Sequence, residues 1–257
     1  RGGTILLTAR CDEFKTKEGQ EKALKNLEAF GIEGVVVIGG DGSLRGSNVL
    51  SNMGIPTIGI PTTIDNDIAF TDNCIGFDTA VNTVVDALNK VRDTATSHER
   101  TFVVEVMGRN AGHLALYTGL ASGAEAILVP EIPFDLDAIC EKIKSGYKRG
   151  KLHSIIVVAE GAASSIEVGK VIKEKTNLET RVIILGHLQR GGTPTAYDRI
   201  LASRFGGKAV DLLKENVKDK MIGLINGELV LTDIDKVLST PKPLDMELYQ
   251  LADILSL

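Results

Sequence analysis

GVVVIGGDGSLRGSNVLSNMGIPTIGIPTTIDND, residues 34–67, holds two short apolar runs, each followed by an acidic cluster. The run at 34–38 is continuous rather than alternating, which predicts a parallel strand covered on both faces. Residues 43–53 predict a helix and 56–60 a second strand, so the stretch reads as one β-α-β unit. In an open α/β sheet, ligands bind in the loops at the carboxyl ends of strands. GGDGS (39–43) and PTTIDND (61–67) fill those loops. A glycine turn that carries Asp41 and opens a helix leaves backbone N–H groups for a phosphate. Asp65 and Asp67 lie two apart, so in extended backbone they point the same way. A cation-binding acid in one loop, with a base and its partner in the other, suits phosphoryl transfer. The bland alternatives are a purely steric glycine turn for GGDGS and an Asx-type helix cap for PTTIDND.

Outward from this unit the same rhythm continues. Towards the N-terminus, residues 3–8 (GTILLT) predict a buried strand. Residues 17–30 predict a helix with Ala23, Leu24, Leu27 and Phe30 on one stripe and Gly31 as its stop. Towards the C-terminus, residues 77–92 carry apolar side chains at helical spacing from Phe77 to Val91. Strands follow at 101–107, 126–129, 154–159 and 181–185, and helices at 111–121, 135–148, 166–176, 197–214 and 246–257. Residues 221–231 predict a hairpin turning at Asn226–Gly227. The expected fold is α/β: two doubly wound three-layer α/β/α lobes with mostly parallel sheets and a cleft between them. Residues 1–76 with 189–240 form one lobe, and 77–188 with 241–257 the other. The chain crosses near 68–76 and 190–194.

Composition narrows the function. The 257 residues carry a net charge of −5 and only 4% aromatics, which argues against a general nucleic-acid surface. Hydrophobic residues make up 43%, enough for a substantial core. Cys11, Cys74 and Cys140 are odd in number and widely spaced, so neither a disulfide framework nor a zinc site is expected. No apolar run approaches the ~20 residues of a membrane helix, and a cytoplasmic setting fits. The chain opens on Arg1 and passes straight into an apolar run, from which we expect the natural N-terminus to lie further upstream. No GxSxG elbow supports serine hydrolase chemistry.

Other strand ends carry more chemistry. Arg109, between glycines in VMGRNAG, reads as an anion contact. Glu160 ends the strand at 154–159 and reads as a hydroxyl acceptor or a solvated loop acid. His187 and Arg190 in GHLQRGG are three apart, and both suit one anion. Arg181 begins the strand that GHLQRGG ends. Six extended residues cover ~20 Å, so Arg181 and His187 cannot easily share one pocket. If both bind phosphate, Arg181 most simply serves a neighbouring subunit. The basic run YKRGKLH (147–153) is either a solvated helix end or a second anion site.

Together these residues resemble the bacterial ATP-dependent 6-phosphofructokinases. GGDGS, PTTIDNDI, SHER ahead of VVEVMGRNAGH, PEIPF, VVAEG and LGHLQRGGTPTAYDRILASR occur in that family's order, over nearly the whole chain. The resemblance implies transfer of the γ-phosphoryl of MgATP to the 1-hydroxyl of fructose 6-phosphate. It implies Asp65 as base, Asp41 as the Mg²⁺ ligand, Asp67 as orienting Asp65 or assisting the metal, Thr63 at the transferring phosphoryl, and Arg109 stabilising its transition state. Arg10, Cys11, Gly40, Asp41, Gly42 and Ser43 would meet ATP, which makes the first lobe the nucleotide-binding one. Met107, Gly108, Glu160, His187 and Arg190 would bind the sugar phosphate in the second. Arg100 and Arg181 would reach the 6-phosphate from the adjacent subunit of a homotetramer. Arg92, Glu125, Arg149, Lys151 and His153 match an effector pocket for ADP or phosphoenolpyruvate.

Pyrophosphate-dependent relatives usually carry Asp in place of Gly42 and Lys in place of Thr62, so this chain fits the ATP-dependent group. Many of that group have Gly in place of Thr62, a departure that does not signal pyrophosphate. The resemblance also implies a further strand and a GGDAPG-like glycine loop ahead of residue 1. On that ground we expect the 257-residue polypeptide alone to be unstable, with little kinase activity. A pyrophosphate-dependent kinase and a non-catalytic sugar-phosphate sensor are the alternatives. A lipid or nicotinamide nucleotide kinase with a GGDGT-type loop is disfavoured by LGHLQRGG and MGRNAG.

Overall fold

A computed structural model describes residues 2–96, 100–151 and 153–256. Ser97–Glu99 of the SHER motif, Leu152 of the basic run, Arg1 and Leu257 lie outside the described residues. In chain order the elements are α1 (Lys17–Ala29), β1 (Val35–Gly39), α2 (Asp41–Asn52), β2 (Thr57–Pro61), α3 (Phe77–Thr96), β3 (Thr101–Val106), α4 (His113–Ser122), β4 (Ala126–Leu128), α5 (Leu136–Lys148), β5 (Ser154–Ala159), α6 (Ser165–Thr176), β6 (Thr180–Ile184), α7 (Ala196–Lys214), β7 (Lys220–Ile225), β8 (Glu228–Asp233), α8 (Ile234–Ser239) and α9 (Met246–Leu255). Short 3-10 turns occur at Glu13–Lys15 and Gly186–Arg190.

The helix starts follow local chemistry. Thr16 Oγ1 accepts from Gly19 N at 3.1 Å and Asp135 Oδ1 from Asp137 N at 2.8 Å, capping α1 and α5. Asp245 does the same for α9 by accepting from Leu248 N at 3.0 Å. Asn226 and Gly227 both take positive φ at the turn between β7 and β8, which is the hairpin their sequence demands.

The chain divides into two units. The first comprises residues 1–63, 68–76 and 194–243, the second residues 64–67, 77–193 and 244–257. The first unit has a sheet in the order β1-β2-β7-β8, with β1, β2 and β7 parallel and β8 antiparallel to β7. Ile58, Ile60, Ile222 and Leu224 pack on Leu201, Phe205 and Leu212 of α7. On the other face, Met221 packs with Leu44 of α2 and with Ile234 and Val237 of α8.

The second unit has an all-parallel sheet in the order β4-β5-β3-β6. Its two faces are written in the sequence as alternation within continuous apolar runs. Phe102, Val104 and Val106, with Ile155, Val157 and Ala159, face α3, α4 and α9. Val103, Ile156 and Val158 face α5 and α6. The central strands β3 and β5 are therefore covered on both sides, as inner parallel strands require, whereas the edge strand β6 leaves Val182 and Ile184 exposed. Each unit is a three-layer α/β/α arrangement, as the sequence predicted.

Three expectations fail. Residues 3–8 form no strand: no described segment offers them a ladder partner, and Ile5 is 96% exposed. An apolar run becomes a strand only when a neighbour takes up its backbone N–H and C=O groups. β1 is an edge strand rather than one covered on both faces, and Ile38 is 53% exposed. The last helix ends at Leu255, and α8 was not foreseen. Six residues give too short a window for helical periodicity to register.

Candidate active site

β1 and β2 pair in parallel with Gly39 opposite Pro61, so both strands end together. Thr62 N donates to Gly39 O at 2.9 Å, which keeps the first residues after the two strands side by side. Gly40 is the N-cap of α2 and Asp41 its first residue. The N–H groups of Ser43 and Leu44 both donate to Gly40 O at 3.0 Å. Those of Asp41 and Gly42, at the very start of the helix, have no acceptor inside it. Gly40 backs onto Thr63: a Cβ built there would lie 3.6 Å from the Thr63 Cβ. A Cβ built on Gly42 meets nothing within 4 Å, so nothing in the described chain requires glycine at that position. Asp41 Oδ2 accepts from Arg45 Nε at 3.1 Å, one turn along α2. Arg10 and Cys11 are exposed on the irregular segment before α1.

In the second unit, Ile64 packs against Phe77, Ala80, Met107 and Leu114 and so anchors the residue that follows it. Asp65 is buried, its side chain 8% exposed, and Arg109 Nε lies 3.5 Å from its Oδ2. A buried carboxylate needs such a counter-charge. The Arg109 side chain is 65% exposed, so the rest of it reaches solvent. Asn66, between the two acids, is left-handed at φ 52°. Asp67 is half-buried.

The loop that carries Arg109 is held tightly. Glu160 Oε1 accepts from Gly108 N at 3.2 Å and from Arg109 N at 2.8 Å. Arg109 itself sits at φ 52°, and the chain behind it touches Gly161. A Cβ on Gly161 would stand 2.0 Å from the Arg109 carbonyl oxygen, so only glycine fits there. Met107 is buried among Phe77, Ala80 and Leu114, and its N–H donates to Gln189 Oε1 at 3.0 Å. His187 and Arg190 are exposed on the 3-10 helix Gly186–Arg190.

Glu160 was read as a hydroxyl acceptor or a solvated loop acid. Here one of its oxygens is committed to the backbone. Gln189 was missed, although it stands between His187 and Arg190 in the motif. An amide between a histidine and an arginine carries no signal of its own until the fold turns it inward.

Arg100 and Arg181 lie at the opposite end of this sheet. Arg100 precedes β3, and Arg181 pairs with Phe102 near the start of β6. Met107, Glu160 and His187 follow the far ends of β3, β5 and β6. Glu179 gathers both arginines, with Arg181 Nη2 at 2.5 Å and Arg100 Nε at 3.1 Å. The second contact is an ion pair by distance but is not aligned as a hydrogen bond. The guanidinium of Arg100, foremost, and that of Arg181 hold the Glu179 carboxyl below its usual range. A depressed value means stability that is present at neutral pH and is lost as pH falls through that value. Glu179→Gln should therefore flatten the decline of melting temperature over the acid range, as read by thermal melts at stepped pH. An acid limb unchanged from the parent's would contradict this.

At that same end Glu125, just before β4, is buried. It accepts from Ile155 N and pairs with Lys151 Nζ at 2.6 Å. Arg149 caps the end of α5 and donates to Ser145 Oγ at 3.3 Å. Arg92 Nη2 lies 4.0 Å from where a Gly123 Cβ would stand, two residues from Glu125. His153 stands immediately before β5. Cys11, Cys74 and Cys140 are free, Cys11 exposed and the other two buried. No helix among the described residues is long and apolar enough to cross a membrane.

Both units carry polar and charged loops at the carboxyl ends of their parallel strands, the arrangement of an α/β ligand-binding enzyme. The sequence model of the Phosphofructokinase family matches residues 1–213. A Halothermothrix orenii protein named ATP-dependent 6-phosphofructokinase is 61% identical over 100% of this chain and 81% of its own length. One of the same name from Halalkalibacterium halodurans is 58% identical with the same coverage. Among solved structures, phosphofructokinase from Saccharomyces cerevisiae superposes with a TM-score of 0.86 at 35% identity, over 99% of this chain and 37% of the yeast one. The chain belongs to the phosphofructokinase family.

Proposed function

We propose that the protein transfers the γ-phosphoryl group of ATP to the 1-hydroxyl of fructose 6-phosphate, giving fructose 1,6-bisphosphate and ADP. The carrying observation is Asp65: a buried carboxylate on a loop anchored by Ile64, with Arg109 3.5 Å away. Its task is to take the hydroxyl proton as the oxygen attacks phosphorus. Arg109 faces Asp65 at rest and is free enough in solvent to turn to the transferring group, whose charge it stabilises. Asp67 orients Asp65 and Thr63 contacts the phosphoryl. The free N–H groups at the start of α2, with Gly40, Gly42 and Ser43, take the ATP phosphates, and Arg10 and Cys11 complete the nucleotide side.

Asp41 fits Mg²⁺. It is a hard oxygen donor at a helix start with one oxygen not engaged by Arg45. Among the described residues no three Asp, Glu, His or Cys gather into a metal-binding group. A metal that keeps its waters and relies on one carboxylate plus substrate phosphates needs none. When bound, it would offset the negative charge of the phosphates.

The sugar phosphate lies along Met107 and Gly108. The second oxygen of Glu160 receives a sugar hydroxyl, and His187 and Arg190 meet the 6-phosphate. Arg100 and Arg181 lie at the far end of the sheet, which supports their serving a neighbouring subunit's substrate in a homotetramer. The Glu125–Lys151 pair with Arg92, Arg149 and His153 then forms the basis of an effector site for ADP or phosphoenolpyruvate. The first unit thus binds nucleotide and the second the sugar phosphate, in an enzyme of the cytoplasm.

The donor decides between this reading and its nearest neighbour. With the protein expressed from its natural gene, fructose 1,6-bisphosphate should form with ATP at least ~100-fold faster than with pyrophosphate. The reverse preference would overturn the assignment. Gly161→Ala should lower turnover on the order of 100-fold, because the added methyl drives the Arg109 carbonyl away and misplaces the loop. Circular dichroism should confirm that the fold is retained. Parental turnover would remove Arg109 from the mechanism.

A further inference from the structure

We infer that Gln189 is a positioning residue that sets the sugar-phosphate site as one piece by tying the Met107–Arg109 loop to the 3-10 helix bearing His187 and Arg190. This rests on the function proposed above. Gln189 is 1% exposed. Its Oε1 accepts from Met107 N at 3.0 Å and its Nε2 donates to Gly186 O at 3.0 Å. The amide has only this orientation, because Met107 offers a donor and Gly186 an acceptor. Gly186 opens the 3-10 helix, and Arg190 closes it.

With Gln189 present, three successive backbone donors are all captured by side chains. Met107 N goes to Gln189, and Gly108 N and Arg109 N go to Glu160. The two clamps have different consequences. Glu160 fixes where Arg109 leaves the backbone. Gln189 fixes how far the loop stands from His187 and Arg190, the two exposed groups with which the sugar phosphate must register. Removing it leaves the buried Met107 N–H without a partner and takes from Gly186 O, half-buried at the start of the 3-10 helix, its side-chain donor, so that the two segments lose their tie. The first unit, which carries the nucleotide loops, makes neither of these contacts.

Two variants separate the halves of the link. Gln189→Leu keeps the volume and loses both hydrogen bonds. Gln189→Glu keeps an acceptor for Met107 N and loses the donor to Gly186. In protein expressed from its natural gene, Gln189→Leu should raise the KM for fructose 6-phosphate on the order of 10-fold and lower kcat by a similar factor. The KM for ATP should stay within about 2-fold. Gln189→Glu should raise only the KM for fructose 6-phosphate. Amide hydrogen exchange at Met107 should quicken on the order of 10-fold in Gln189→Leu and remain parental in Gln189→Glu, with β5 amides unchanged in both.

Parental KM for the sugar phosphate in both variants would overturn the inference. So would equal quickening across β5, which would mark a general packing role. If Gln189→Leu fails to fold, the KM of Gln189→Glu decides alone. The exchange readout needs no activity, so it stands even if the parent proves unable to phosphorylate fructose 6-phosphate, a result that would instead remove the proposed function.

Discussion

Asp65→Ser should lower kcat on the order of 10³-fold while the dissociation constant for fructose 6-phosphate changes by no more than a few-fold. The first effect follows from the loss of the group proposed to receive the hydroxyl proton, a role that contributes about 10²- to 10⁴-fold in comparable settings. The second follows from position. Asp65 is buried beside Arg109, whereas the groups assigned to the sugar phosphate, Glu160, His187 and Arg190, are exposed at other strand ends. Serine fills less space but keeps a polar atom for Arg109, so the pair is weakened without stranding a buried apolar gap. Rapid-mix turnover and equilibrium titration of the sugar phosphate, made on the same preparation, check the two halves separately. Equal losses in binding and turnover would turn Asp65 into a binding residue.

Gly42→Asp should all but abolish use of ATP, with kcat/KM for the nucleotide falling at least ~100-fold. The site tolerates a side chain as far as the protein is concerned, since a Cβ there meets nothing within 4 Å and φ is not positive. Circular dichroism and melting temperature should therefore stay parental. The loss comes from the ligand: a carboxylate at the second residue of α2 sits where, in the proposed site, the phosphate chain approaches the first N–H groups of the helix. It both fills that space and repels the anion. The steady-state KM for fructose 6-phosphate, measured at saturating ATP where turnover remains, should move little. A parental response to ATP would mean that the nucleotide enters elsewhere.

Much of this architecture was legible in the order of residues. The apolar runs at 154–159 and 101–107 predict strands, and alternate residues of β5 and β3 face different helix layers. The loop residues of the candidate site were legible for a related reason. Acids and glycines directly after an apolar run have few structural uses. What could not be read were contacts fixed by strand order. Glu179 meets Arg100 only because β6 lies beside β3, with Thr101 opposite Thr180. Glu160 reaches the Arg109 loop because β5 also flanks β3, with Val106 opposite Ala159. Neither adjacency is encoded locally. The apolar segment 3–8 misled for the converse reason: its composition suits a strand, but pairing is a property of neighbours.

A phosphorus-31 spectrum sees directly whether a phosphoryl group passes from ATP to the sugar. Protein expressed from its natural gene, mixed with MgATP and fructose 6-phosphate, should show the γ-phosphoryl resonance of ATP decline while a second phosphomonoester, on C1 of the sugar, grows in equal amount beside ADP. A spectrum in which fructose 6-phosphate is bound but ATP stays intact would contradict the account and leave a sensor of sugar phosphates in its place.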